Sequence, residues 1–119
     1  MLGSGSVVVI GANDCVVRAA WRITKFFQRE SCGQCTPCRE GAGWLERILW
    51  RLEHGGGRRE DLDVLLDVCD NIAPGLTWPP QQTTICVLGP SIPSSIHSGI
   101  SMFKDEFFEH VTNGGCPHG

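Results

Sequence analysis

No apolar run in this 119-residue sequence approaches the length of a membrane-spanning helix, which takes about 20 residues. Met1 to Ile10 holds one apolar run, Val7 to Ile10, and no basic segment precedes it. That excludes a secretory leader from the reading. Charge of one sign is also scarce. The net charge of −3 gives no footing for nucleic acid or an anionic membrane surface. There is no internal repeat. The expectation is a protein without direct membrane insertion, located in the cytoplasm or attached to something larger.

What is present suits a small folded domain: 41% hydrophobic and 19% charged residues. A chain this short buries a limited share of its surface, so a metal centre would help hold it together. Seven cysteines stand in it. An odd number with a tight local cluster does not fit a secreted disulfide framework, and metal ligation fits better.

Periodicity divides the chain as follows. Ser6 to Ile10 reads as one short β-strand before Gly11-Ala12-Asn13-Asp14. A lone strand cannot satisfy its own backbone, so residues 1–13 are expected to be the remnant of a preceding domain. Residues 14–111 read as a bundle of four amphipathic helices, and 112–119 as an irregular tail. The first helix covers Asp14 to Gln28, capped by Asn13 or Asp14, with Val17, Ala20, Trp21 and Phe27 as its apolar stripe. The second starts at Pro37 with Thr36 as cap, carries Leu45, Ile48, Leu49 and Leu52, and ends at Gly55-Gly56-Gly57. The third runs from about Arg59 to Ile72. Pro74, Pro79 and Pro80 enforce a loop holding Trp78. The fourth follows Pro93, with Ile96, Ile100, Phe103 and Phe107 facing inward. The expected fold class is thus mainly α, a small four-helix bundle carrying an iron–sulfur cluster and preceded by one short strand.

The cluster expectation rests on Cys32-Gly33-Gln34-Cys35-Thr36-Pro37-Cys38, a C-x2-C-x2-C run. Three thiolates so spaced can each bind a different iron at one corner of a cubane, and Gly33 permits the tight turn. Cys38 falls in the first turn of the Pro37 helix, where the dipole favours an anion. Arg39 adds positive charge. A structural zinc site more often draws on two separated C-x2-C pairs, so a zinc-binding structural or interaction module is the alternative. A redox C-x2-C pair leaves the third cysteine unexplained. For a fourth ligand, Cys86, in a loop before the last helix, is preferred to Cys116 in its glycine-rich tail. Cys69, on an apolar stripe, reads as a core thiol, and Cys15, at a helix start, as a spectator.

The twelve residues Glu30-Ser31-Cys32-Gly33-Gln34-Cys35-Thr36-Pro37-Cys38-Arg39-Glu40-Gly41 resemble the iron–sulfur signature of the NADH-binding flavoprotein, or F subunit, of NADH:quinone oxidoreductase, respiratory complex I. Thr84-Ile85-Cys86-Val87-Leu88-Gly89 looks like the second segment of that family, and Leu2 to Val9 like the strand before its cluster helices. The resemblance implies a [4Fe–4S] cluster on Cys32, Cys35, Cys38 and Cys86. It further implies electrons arriving from FMN, which NADH reduces, and leaving to the large iron–sulfur subunit. The implied partners are other peripheral-arm subunits and a flavin- and NADH-binding domain, if separately encoded. The implied location is the inner face of the cell membrane, reached through the complex. The flavin and nucleotide sites of the family lie in a glycine-rich region that has no counterpart here. Gly3-Ser4-Gly5 does not replace it, because Val8 stands where G-x-G-x-x-G needs glycine. This chain alone is therefore not expected to oxidise NADH. Gly89-Pro90 stands in place of the more usual Gly-Asp, and the stretch from Pro74 to Gln82 is longer than the usual loop. Diaphorase subunits of soluble hydrogenases and formate dehydrogenases carry similar signatures.

Among other residues, His54, His97, His110 and His118 lack mutual ligand spacing and read as surface or helix-end histidines. Arg58 to Asp61 reads as a solvated helix start. Trp21, Trp44 and Trp50 read as core or interface anchors, and Trp78 as packing or a contact for a neighbouring subunit.

Overall fold

A computed structural model describes residues 5–74 and 83–119. Four helices follow one another: α1 (Val16–Glu30), α2 (Thr36–His54), α3 (Asp61–Ile72) and α4 (Leu88–Thr112). α1 packs on α2 and α4, α3 packs on the same two, and α2 meets α4 across the middle. Among the described residues α1 and α3 therefore occupy opposite corners of a four-helix bundle. The apolar stripes supply its centre, with Leu45, Leu49, Leu52, Leu65, Ile72, Ile92, Ile96 and Phe107 completely or almost completely buried. Burial of such a side chain contributes about 1.5–3 kcal/mol, and this is what holds short helices that would be marginal alone.

The expected strand at Ser6 to Ile10 is not formed, and no strand occurs among the described residues. Val7, Val8 and Val9 are 83–90% exposed. β-branched residues favour extended backbone, but without a neighbouring strand nothing completes the ladder.

The helix starts also depart from expectation. Asp14 does not cap α1. It closes a turn, its carboxylate accepting from Gly11 N–H at 2.9 Å. The cap is Cys15, whose sulfur accepts from Arg18 N–H at 3.3 Å. Cys35 takes the cap position of α2, and Thr36 is its first residue. α3 begins at Asp61 rather than Arg59. α4 begins five residues before Pro93. Pro90 falls among the first N–H groups, which have no helical partner in any case, and Pro93 removes one bond, that to the Gly89 carbonyl. Phe103, expected inside, is 45% exposed and sits at a kink with φ −129° and ψ 38°. Trp21 is buried, but Trp44 and Trp50 are about half exposed, and Trp50 stacks on His54 with ring centroids 4.5 Å apart. Trp78 lies outside the described residues.

Two contacts fix the turn from α2 to α3 and the tail beyond α4. Asp61 is not solvated but buried. It binds Arg51 of α2 through two hydrogen bonds of 2.5 and 3.2 Å and accepts from Arg58 N–H at 2.8 Å. Gly55 ends α2 with φ +101°. A methyl group there would run into the backbone carbonyl of Gly114. The tail is held at this point: Cys116 N–H donates to the Glu53 carbonyl at 3.1 Å and Gly115 N–H to that of His110 at 3.0 Å.

Asp61→Ala should destabilise the chain by about 2–3 kcal/mol, because it strands Arg51 and the Arg58 N–H together; urea unfolding followed by circular dichroism checks this. Gly55→Ala should lower stability by about 1–3 kcal/mol through left-handed strain and overlap with the tail. Deleting the tail residues should remove the overlap part of that loss, measured by the same unfolding curves.

Candidate functional site

The C-x2-C-x2-C run spans the turn between α1 and α2. Gly33 adopts φ +80°, and the Arg39 guanidinium ties down the turn by donating to the Gly33 carbonyl at 2.7 Å. Cys32 is exposed, Cys35 half-buried and Cys38 buried within the first turn of α2. The three sulfurs thus step from solvent toward the core. Ser31 Oγ lies 3.3 Å from Cys38 Sγ and accepts from Gly33 N–H at 3.3 Å. With that donor supplied, the hydroxyl proton is free to point at the sulfur.

Residues 83–87 form the loop that leads into α4. Three bonds shape it. Thr83 Oγ1 donates to the Ile72 carbonyl at the end of α3, at 2.7 Å. Buried Thr84 donates to the Cys86 carbonyl at 2.8 Å and packs against Gly89 so closely that a Cβ there would clash. Ile85 N–H donates to Cys35 Sγ at 3.3 Å. The last bond joins the Cys86 loop to the three-cysteine turn. Cys86 itself is exposed.

The donor set fits a cubane cluster. It offers thiols only, from two segments, with an N–H directed at Cys35 Sγ and a hydroxyl beside Cys38 Sγ, contacts of the kind that tune an iron–sulfur centre. Cys69, as expected, is a core thiol. It is 2% exposed, and burial, with the charge of Asp70, pushes its pKa up to about 12.

A second group of donors follows from no spacing motif. Cys15, Glu53, His110 and Cys116 converge, with one donor atom from each lying within 4.8 Å of the others. His110 is a helix-end residue, in the last turn of α4, but not a surface one: it has no exposed area, and Cys15 and Glu53 are 5% exposed. Cys15 Sγ lies 3.1 Å from His110 Nε2 and 3.4 Å from Glu53 Oε2, and the latter two atoms are 3.2 Å apart. Burial pushes both thiols upward in pKa. Burial also acts to raise Glu53, but hydrogen bonds from Arg18, Cys15 and Cys116 outweigh it and hold the carboxyl below its ordinary value. Separations of 38, 57 and 95 residues hide this group from the sequence. The one local sign is a cysteine where a helix cap is wanted.

No helix among the described residues is long and apolar enough to cross a membrane. Comparison with known proteins places the chain. The family model of the NADH-ubiquinone oxidoreductase-F iron-sulfur binding region matches residues 18–110. The NADH-quinone oxidoreductase F subunit of Mycobacterium tuberculosis (strain H37Rv) is 45% identical over 117 residues, covering 98% of this chain and 24% of that protein. Its counterpart in Streptomyces coelicolor is 43% identical with the same coverage. The F subunit numbered 2 of Rhizobium meliloti is 40% identical, over 98% of this chain and 26% of its own length. The chain thus spans about a quarter of the length of these curated relatives. With the matched region taking in the three-cysteine turn, the Cys86 loop and most of all four helices, the chain belongs to the iron–sulfur-binding, [4Fe–4S] region of the NADH-ubiquinone oxidoreductase-F family.

Proposed function

We propose that this chain is the electron-relay segment of an NADH:quinone oxidoreductase flavoprotein, with Cys32, Cys35, Cys38 and Cys86 as the four ligands of its cluster. The observation that carries the reading is the Ile85 N–H to Cys35 Sγ bond, which joins two cysteine segments separated by 50 residues. When bound, a [4Fe–4S] cluster supplies one-electron storage at a potential set by charge, hydrogen bonds to sulfur and solvent exposure.

The protein's own groups act on each of those settings. Ile85 N–H and the Ser31 hydroxyl stabilise charge on Cys35 and Cys38. Cys38 lies in the first turn of α2, at the positive end of the helix dipole, which favours its thiolate. Cys38 faces the core and keeps water from one side, whereas Cys32 and Cys86 face outward, where a redox partner can approach. Exposed Ile85 and Val87 beside Cys86 are apolar enough to be covered by such a partner.

In this reading electrons come from FMN, reduced by NADH at sites in the remaining three quarters of the relatives' length. They leave to the next iron–sulfur subunit of the peripheral arm, at the cytoplasmic face of the membrane. The relatives described above are named as quinone oxidoreductase subunits, which favours this assembly over a hydrogenase or formate dehydrogenase diaphorase.

Anaerobic reconstitution should load about four irons and four sulfides per chain and give a reducible paramagnetic centre. Cys86→Ser should lose the intact centre, whereas Cys69→Ser should keep its iron. Zinc without sulfide in the reconstituted protein would defeat the proposal, as would a Cys86→Ser protein with an unchanged spectrum.

A further inference from the structure

The buried group at the other end of α2 gathers an imidazole, a carboxylate and two thiols, whose protons satisfy the lone pairs that face them. His110 Nδ1 lies 2.7 Å from the Glu106 carbonyl. A carbonyl cannot donate, so Nδ1 carries the hydrogen. Nε2 is then the nitrogen left to bind a metal, as the lone pair of a metal-bound imidazole does. It faces a carboxylate oxygen at 3.2 Å and a sulfur at 3.1 Å. The other oxygen of Glu53 is engaged by Arg18 at 2.7 Å. Three electron-pair donors therefore form a triangle with edges of 3.1, 3.2 and 3.4 Å, and Cys116 lies within 4.8 Å as a fourth. Donor atoms bound to tetrahedral zinc at ~2.0–2.3 Å stand roughly 3.3–3.8 Å apart. The triangle is close to one face of that tetrahedron.

We propose that Cys15, Glu53, His110 and Cys116 form a structural zinc site separate from the iron–sulfur centre. Two thiolates, one imidazole and one carboxylate suit a borderline-soft divalent ion. Charge also balances: Zn2+ offsets two thiolates, and Arg18 offsets Glu53. Binding releases the two thiol protons, so the ion enters as they leave. The Glu106 carbonyl fixes the ring with Nε2 inward, as outer-shell partners of metal-bound histidines do. Half-buried Cys116 gives the way in. The site would fasten the cap of α1, the last turn of α2, the end of α4 and the tail to one another. It does not depend on the iron–sulfur assignment, since it uses none of those four cysteines.

The test uses the full chain, purified without oxygen, cluster-loaded and incubated with zinc chloride and a thiol-free reductant. Metal analysis should give about one zinc beside about four irons. X-ray absorption at the zinc edge should show two sulfur and two nitrogen or oxygen neighbours. Cys15→Ser with Cys116→Ser should lower zinc affinity by more than ~100-fold, beyond the roughly 10–100-fold that loss of an outer-shell contact causes, and leave iron unchanged. If that variant does not fold, the absorption data on the unaltered chain still decide. No zinc uptake by the loaded protein, four sulfur neighbours, a Cys15–Cys116 disulfide in place of metal, or full zinc retention by a folded double variant would each overturn the proposal. Iron loading is read separately, so failure of the zinc site and failure of the relay reading give different results.

Discussion

The Ile85 N–H to Cys35 Sγ bond closes a loop of 50 residues, and a loop of that length does not close through one weak hydrogen bond to sulfur. Its ends are brought together by the bundle. Closure entropy rises only slowly with length but is never recovered by a single contact of this kind. Leu45 and Leu49 of α2, Leu65 and Ile72 of α3, and Ile92 and Ile96 of α4 bury their side chains between the two segments. Packing therefore positions the site. Thr83 then anchors the second segment to the end of α3, and Thr84 fixes the carbonyl of Cys86. A metal centre on these cysteines would return stability to the same bundle, since binding free energy to folded ligands is folding free energy.

The three-cysteine turn is legible in the sequence because its information is local. Spacing, a glycine at the turn and a proline at the next helix start all fall within seven residues, and the structure keeps them at the head of α2. Local physics does not fix the fourth cysteine. Cys86 and Cys116 are both in non-helical segments, and the contact of Ile85 with Cys35 that supports Cys86 is one that no periodicity encodes. Nor is the glycine-rich tail a poor place for a rigid ligand. Two backbone bonds pin it to α2 and α4. Glycine there permits close approach to Gly55 rather than freedom.

Helix interiors are easier to read than helix starts. Apolar spacing identifies the buried face of each helix, and Leu45, Leu52, Ile96 and Phe107 lie where that spacing puts them. Starts depend on single hydrogen bonds. Asp14 is the better cap by composition, yet its carboxylate is engaged by Gly11, and the sulfur of Cys15 takes its place. Proline is a weaker boundary at α4 than its presence suggests, because only one of two prolines removes a helical bond. The strand at Ser6 to Ile10 fails for the opposite reason: local preference is present, but the ladder it requires is not.

His110, Glu53 and Cys15 show the limit of reading by residue type. Each has a bland local interpretation, and each is buried by contacts 38 to 95 residues away in sequence. Buried polar groups are costly unless their lone pairs and protons are matched. Here Arg18 and the Glu106 carbonyl account for the outward-facing atoms. The inward-facing sulfur, nitrogen and oxygen are matched to one another through the thiol protons of Cys15 and Cys116. The two cysteine groups lie toward opposite ends of α2, and the 15-residue step from Cys38 to Glu53 is roughly 22 Å of helix. At that distance neither centre perturbs the ligands of the other directly. One helix presents thiols at its positive end, partly open to solvent. Near its other end it buries a carboxylate beside a buried thiol and imidazole and a half-buried second thiol, and it is on this difference in exposure that the two proposed roles, relay and fastening, rest.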